Sequence, residues 1–232
     1  MNLLAIETSE VACSTAIWSD GDVIEAYREQ PRGHSELLLP MIDTLMSESG
    51  ISKSQLGAIA FGRGPGSFTG VRIAAAVTQG ISFGLDIPVI PVSSLQALAQ
   101  GVCRTTAHQQ VAAAFDARMN EVYWALCSAD ADGVMQLQSE EMVCAPEQVS
   151  QPQQGRWVGA GSGWSAYAEP LSERLSPWLD QQIPHLYCHA QDVAVIAAHA
   201  LSQGDAAVTA AEALPLYLRN NVARKSKVGS SQ

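Results

Sequence analysis

Two stretches of this chain read as copies of one supersecondary unit, and that repeat limits the fold more than any other feature. Residues 3–6 form a short apolar run and residues 13–18 a second. After the turn signal Asp20-Gly21, residues 23–28 read as a returning strand, completing a three-stranded meander. The same plan recurs at residues 111–115 and 121–127, with a turn at Asp132-Gly133 and a third strand over residues 135–142. Asp116 follows Glu7 by 109 positions, as Val122 follows Cys13, whereas Asp132 follows Asp20 by 112, so three residues are inserted before the second turn.

Each meander leads toward a strand and a glycine-rich loop. In the first half, residues 56–61 read as a strand, followed by Gly62-Arg63-Gly64-Pro65-Gly66-Ser67-Phe68-Thr69-Gly70 and a helix over residues 71–83. A strand at residues 89–92 and a helix at 94–100 follow. In the second half, residues 156–158 enter Gly159-Ala160-Gly161-Ser162-Gly163-Trp164, and residues 191–202 read as a helix. The stretch before that helix shows no clear pattern. The first half also carries an amphipathic helix over residues 35–49, with Leu38, Met41, Ile42 and Leu45 at helical spacing, Pro40 expected to kink it or delay its regular part, and Gly50 as its stop. That apolar stripe serves either the chain's own core or a partner.

With 47 % apolar and 16 % charged residues in 232, each half can bury a core without disulfides or metal. Five scattered cysteines without a Cys-x-x-Cys pair fit reduced thiols of a cytoplasmic protein. The start of the chain has no secretory pattern, and no apolar stretch is long enough to span a bilayer. A net charge of −10 argues against a surface that binds nucleic acid broadly. The tail, with Arg219, Arg224, Lys225 and Lys227, is either a local contact for RNA or an acidic partner, or a solvated terminus.

The loop carrying Gly64, Gly66, Ser67, Thr69 and Gly70 either cradles an anion with free backbone N–H groups or makes a tight turn. It lacks the Gly-x-Gly-x-x-Gly spacing and the lysine of the P-loop. On the helix after it, Ala76, Gly80 and Gly84 form a stripe of small residues that lets another helix approach closely, within this chain or from another. Glu7 and Asp116 each end a first strand, where such carboxylates face a metal–phosphate group across the cleft of a two-lobed enzyme, but no phosphate turn follows either. His185, Cys188, His189, Asp192 and His199 lack metal-site spacing, and no serine carries a nucleophile pattern.

Leu4-Ala5-Ile6-Glu7-Thr8-Ser9, His34 with Leu39-Pro40, Gly64 to Ile73, Val92-Ser93-Ser94-Leu95, Asp116-Ala117-Arg118-Met119 with Glu121-Val122-Tyr123, and Tyr217-Leu218-Arg219 together resemble the TsaB (formerly YeaZ) family over essentially the whole chain. The resemblance implies an α/β, two-lobed actin-like ATPase fold, a duplicated RNase H-like plan with lobes at residues 1–105 and 106–232. It implies a role in placing threonylcarbamoyl on the adenosine beside the anticodon of tRNAs that read codons starting with A. In that machinery TsaD is the catalytic relative, TsaE an ATPase, and a further enzyme makes threonylcarbamoyl-adenylate. The family binds TsaD through first-lobe helices, which implies partner contacts at Leu38, Met41, Ile42, Leu45, Arg72, Ala76, Gly80 and Gly84.

Where TsaD has paired metal-binding histidines, this chain aligns Ser94 and Leu98, neither of which replaces an imidazole. The expectation is therefore a non-catalytic subunit with no metal or cofactor of its own, ATP being used by the assembled complex. It forms a heterodimer with TsaD, meets TsaE, reaches tRNA through the complex, and self-associates without its partner. Glu7, Asp116 and Arg118 are expected to line the cleft. The alternatives are a weak nucleotide-binding ATPase or kinase-like enzyme and, behind it, a metallopeptidase.

Overall fold

The computed structural model of the chain describes residues 1–204 and 207–219, so Arg224, Lys225 and Lys227 of the basic tail lie outside the described residues. The first meander consists of β1 (Asn2–Glu7), β2 (Ala12–Ser19) and β3 (Asp22–Glu29), turning at Asp20 and Gly21, both of which have positive φ. After α1 (His34–Ser49), β4 (Leu56–Gly62) pairs parallel to β1. Helix α2 (Phe68–Leu85) then crosses to β5 (Val89–Val92), parallel to β4. Helix α3 (Ser94–Thr106) leads into the second half.

That half begins with β6 (Gln110–Arg118) and β7 (Glu121–Ala129), an antiparallel pair. The single strand expected over residues 135–142 is instead two, β8 (Met135–Leu137) and β9 (Met142–Cys144), each pairing with a different part of β7. β10 (Trp157–Ala160), α4 (Ser162–Ala166), α5 (Ala168–Leu175), β11 (Leu179–Ile183) and α6 (Ala190–Gln203) complete the described elements. The first sheet runs β3-β2-β1-β4-β5 and the second β8-β7-β6-β10-β11, the same order strand for strand. The repeat read from the sequence is thus a repeat of topology.

Strand alternation fills both faces of both sheets. In β1, Leu4 and Ile6 face α1 and α2, while Leu3 and Ala5 face α6. In β6, Val111, Ala113 and Phe115 face α3, while Ala112 and Ala114 meet Trp124, Trp164 and Leu171. The last helix of each half therefore packs on the other half's sheet: α3 on the second through Leu95, Leu98 and Val102, and α6 on the first through Val193, Ala194 and Ala197. The chain passes from α3 to β6 through residues 107–109, and the two lobes share structure through this exchange.

Helix α1 runs unbroken through Pro40. At position seven of the helix, the proline removes one hydrogen bond and still leaves nine residues of helix packed on the sheet. Gly33 and Gly50, both with positive φ, bound it, and His34 Nε2 lies 2.7 Å from the Gln30 carbonyl and 3.2 Å from that of Val11, fixing its start. Leu38, Met41, Ile42 and Leu45 are all buried in the first core. This corrects the expectation that Leu38, Met41 and Leu45 meet a partner: the stripe is the side of α1 that faces its own sheet, and of the four Ile42 also lines the groove beside α2. No helix among the described residues is long and apolar enough to cross a membrane.

Candidate functional site

The first glycine loop is closed by its own chain. Ser67 donates its backbone N–H to the Ser9 carbonyl, 2.6 Å away, and the Thr8 hydroxyl donates to the Gly70 carbonyl at 2.8 Å. A Cβ at Gly66 would stand 2.5 Å from the Ser9 carbonyl oxygen, and one at Gly70 only 2.0 Å from that of Thr8. These glycines let α2 start directly against residues 8–9, which is the tight-turn reading of the loop. Ser67 caps the helix, its hydroxyl accepting from the Gly70 N–H. Thr69, in the first turn of α2, is exposed.

The second loop is filled in the same way. A Cβ at Gly159 would fall 2.4 Å from the Trp164 ring, and one at Gly161 would meet the Ala114 carbonyl and the Leu98 side chain. Leu98 thus packs against the loop. Ser94 donates its hydroxyl to Glu7 Oε2 at 2.9 Å.

Glu7 is fully buried, and its Oε1 accepts the Ser9 N–H. Burial pushes its carboxyl above the ordinary range despite the hydrogen bonds from Ser9 and Ser94. Both oxygens are held within the first half rather than aimed across a cleft. Asp116 lies in the second half, where it accepts the Arg118 N–H at 2.8 Å, pairs with the Arg118 guanidinium at 2.9 Å, and receives the Tyr167 hydroxyl at 3.3 Å. The Arg118 side chain is otherwise exposed. Glu7 and Asp116 share no hydrogen-bond partner among the described residues.

One carboxylate that does cross between halves is Glu10, which sequence reasoning passed over. Its Oε1 accepts the Ser162 hydroxyl at 2.6 Å, and Ser162 Oγ in turn accepts the Asp116 N–H at 3.2 Å. Glu10 Oε2 is sealed from solvent without a hydrogen-bond partner. Burial pushes this carboxyl up to about 8, with Glu7 and Asp116 adding repulsion and Ser162 partly offsetting it. Glu10 has no pattern around it in the sequence; its place follows from where the halves meet.

The histidine–cysteine group near residue 190 disperses. His189 stacks on Tyr27, ring centroids 4.2 Å apart, with Nδ1 2.9 Å from Glu25 Oε2. Asp192 pairs with Arg104 through two bonds of 2.8 and 2.9 Å, and the buried Cys188 thiol donates to the Ser94 carbonyl. Arg219, at the start of the tail, pairs with Glu121.

The outer face of α2 remains open. Ala76, Gly80 and Gly84 are exposed, and a Cβ built at either glycine meets nothing within 4 Å. Phe83 beside them is 84 % exposed. Between α1 and α2 runs an apolar groove of about 230 Å³, floored by Leu4, Ile42 and Met46 and walled by Leu39, Ile81 and Leu85, with Asp43 and Lys53 at its rim. At the N-terminal end of α2, the Arg72 guanidinium lies 3.5 Å from the Phe68 ring centroid and donates to the Tyr217 hydroxyl at 2.7 Å.

Two duplicated sheets, two closed loops and an open helix face define a two-lobed α/β protein of the actin-like ATPase fold. The family model described as TsaD, tRNA N6-adenosine threonylcarbamoyltransferase, matches residues 28–227. The chain is 41 % identical to the tRNA threonylcarbamoyladenosine biosynthesis protein TsaB of Escherichia coli K12, covering 99 % of each chain. It is 39 % identical to TsaB of Haemophilus influenzae, covering 99 % of this chain and 98 % of that one. The solved structure of YeaZ from Pseudomonas aeruginosa superposes with a TM-score of 0.87 at 44 % identity, over 94 % of this chain and 99 % of that one. The chain belongs to this TsaD-type family and, within it, to the TsaB proteins.

Proposed function

We propose that this chain is a non-catalytic subunit of tRNA threonylcarbamoyladenosine biosynthesis, binding and supporting TsaD. It acts in the cytoplasm and reaches tRNA and TsaE through that complex. The observation that carries the docking role is the open face of α2. Ala76, Gly80 and Gly84 leave room for a helix to approach at or below the usual ~8–10 Å spacing, and the exposed Phe83 and the α1–α2 groove supply apolar area beside them. The same face serves self-association when TsaD is absent.

The non-catalytic half of the reading is supported by what fills the cleft. Ser94 and Leu98 are committed to Glu7 and to the Gly161 turn, and both glycine loops have their approach occupied by this chain's own atoms. Such a subunit acts by favouring one state of its partner, and only by its difference in affinity for the states. The ATP used by the assembled complex is handled elsewhere in it.

The test is reconstitution of tRNA modification from TsaD, TsaE, ATP and threonylcarbamoyl-adenylate, scored by nucleoside mass analysis. Sustained modification requires this chain, and the chain alone transfers nothing. Gly80→Arg fills the open face and abolishes both co-elution with TsaD and modification, while its circular dichroism and melting match the parent. Modification equally good without the chain, or transfer by the chain alone, overturns the proposal.

A further inference from the structure

His199, on α6, meets the turn between β7 and β8. Asp130 closes that turn: its Oδ1 accepts the N–H groups of Asp132 and Val134, both at 2.9 Å, and its Oδ2 accepts Gln136 Nε2 at 2.9 Å. These bonds set the carboxylate's direction before anything else binds. His199 Nε2 stands 3.1 Å from Asp130 Oδ2, and His199 Nδ1 lies 3.9 Å from Asp132 Oδ2. One ligand-capable atom from each of the three lies within 4.8 Å of the others.

We propose that Asp130, Asp132 and His199 form a reversible site for a first-row transition-metal dication of the zinc class, shared between the β7–β8 turn and α6. Two carboxylates facing one imidazole leave excess negative charge whether or not the ring is protonated, so the cluster favours a cation. The imidazole nitrogen selects zinc-class ions over magnesium and calcium, which take oxygen sets. Asp130 and Asp132 face different nitrogens of the ring, and one ion takes only one of them. Ligand atoms at about 2.1 Å from a tetrahedral ion lie roughly 3.4 Å apart, so closure from separations of up to 4.8 Å asks one aspartate to swing toward the nitrogen the other faces. Asp132, 70 % exposed, is the side chain able to turn in, and its open side leaves a position for water. A bound ion would tie α6, packed on the first sheet, to the second sheet. With all three ligands at least partly exposed and one coordination position open, the ion exchanges freely and is removed by dialysis against chelator.

The experiment is calorimetric titration of zinc chloride into untagged, chelator-treated full-length protein, with the visible absorption of cobalt(II) as an independent readout of nitrogen–oxygen ligation. The expected result is one saturable site per chain, and a zinc-dependent rise in melting temperature. His199→Gln lowers the affinity at least about tenfold, as does Asp132→Ala, whose exposed position keeps the fold intact should the α6 variant loosen it. Either no saturable binding at millimolar zinc, or binding unchanged in both variants, overturns the proposal.

Discussion

Glu10 gives the sharpest test of how the halves are joined, because its carboxyl changes charge in an accessible pH range. Burial holds it at about 8 against an ordinary value of 4.5. Between those two values the unfolded chain has released the proton and the native chain keeps it, so the native state binds more protons and stability falls as pH rises through the window. The gap corresponds to a ceiling of roughly 5 kcal/mol. Glu10 retains some exposure, and water reaching it reduces the expected effect to about 2–3 kcal/mol. Glu10→Gln keeps an acceptor for the Ser162 hydroxyl and mimics the protonated acid. Urea denaturation of parent and variant from about pH 5 to about pH 9 isolates this group, since every other titration is common to both. The variant should be near the parent at the acid end and gain steadily on it toward pH 8. A stability difference that stays constant across the range would refute the assignment of a buried, protonated carboxyl between the halves.

Other substitutions separate packing from docking. Gly70→Ala drives a methyl group into the Thr8 carbonyl and should destabilise by about 3 kcal/mol or more; a variant that melts like the parent would show that close approach is not what the glycine provides. Leu38→Ala should cost about 2–5 kcal/mol in chemical denaturation, as a buried leucine does. Phe83→Ser should alter stability by no more than about 0.5 kcal/mol while weakening co-elution with TsaD, and the opposite pattern in this pair would exchange the roles given to the two helix faces.

The parts of the fold visible in the sequence are those whose side chains alternate or recur with one buried face. β1, β2 and β4 are dense in buried apolar residues, and the offset between Glu7 and Asp116 marks the duplication because both strands end where the halves meet. β11 escaped notice because Asp180, Gln181 and Gln182 are exposed; it is held as an edge strand by backbone pairing to β10, and backbone pairing leaves no trace in side-chain pattern. The break between β8 and β9 is likewise a matter of which part of β7 each segment reaches. The exchange of α3 and α6 between sheets was beyond reach for a related reason: an amphipathic stripe says that a helix is covered, not by which sheet.

The loops and helices of the site show the same division between local and distant causes. Glycines at positions 64, 66 and 70 announce backbone proximity, but whether an anion or the chain itself takes the N–H groups depends on residues 8 and 9, about sixty positions earlier, that follow β1. Helix α1 sets the first half apart from the second. It is inserted between β3 and β4, where the second half has irregular chain over residues 145–156 with one helical turn, Pro146–Gln148, between β9 and β10. Its apolar stripe is spent on the first sheet, so what it adds to the surface is Leu39 and the rim beside α2. Without α1 the first half would repeat the second and have no groove there. The insertion breaks the symmetry of the duplication, and it does so beside α2, whose outer face of Ala76, Gly80 and Gly84 is small enough for another helix to approach.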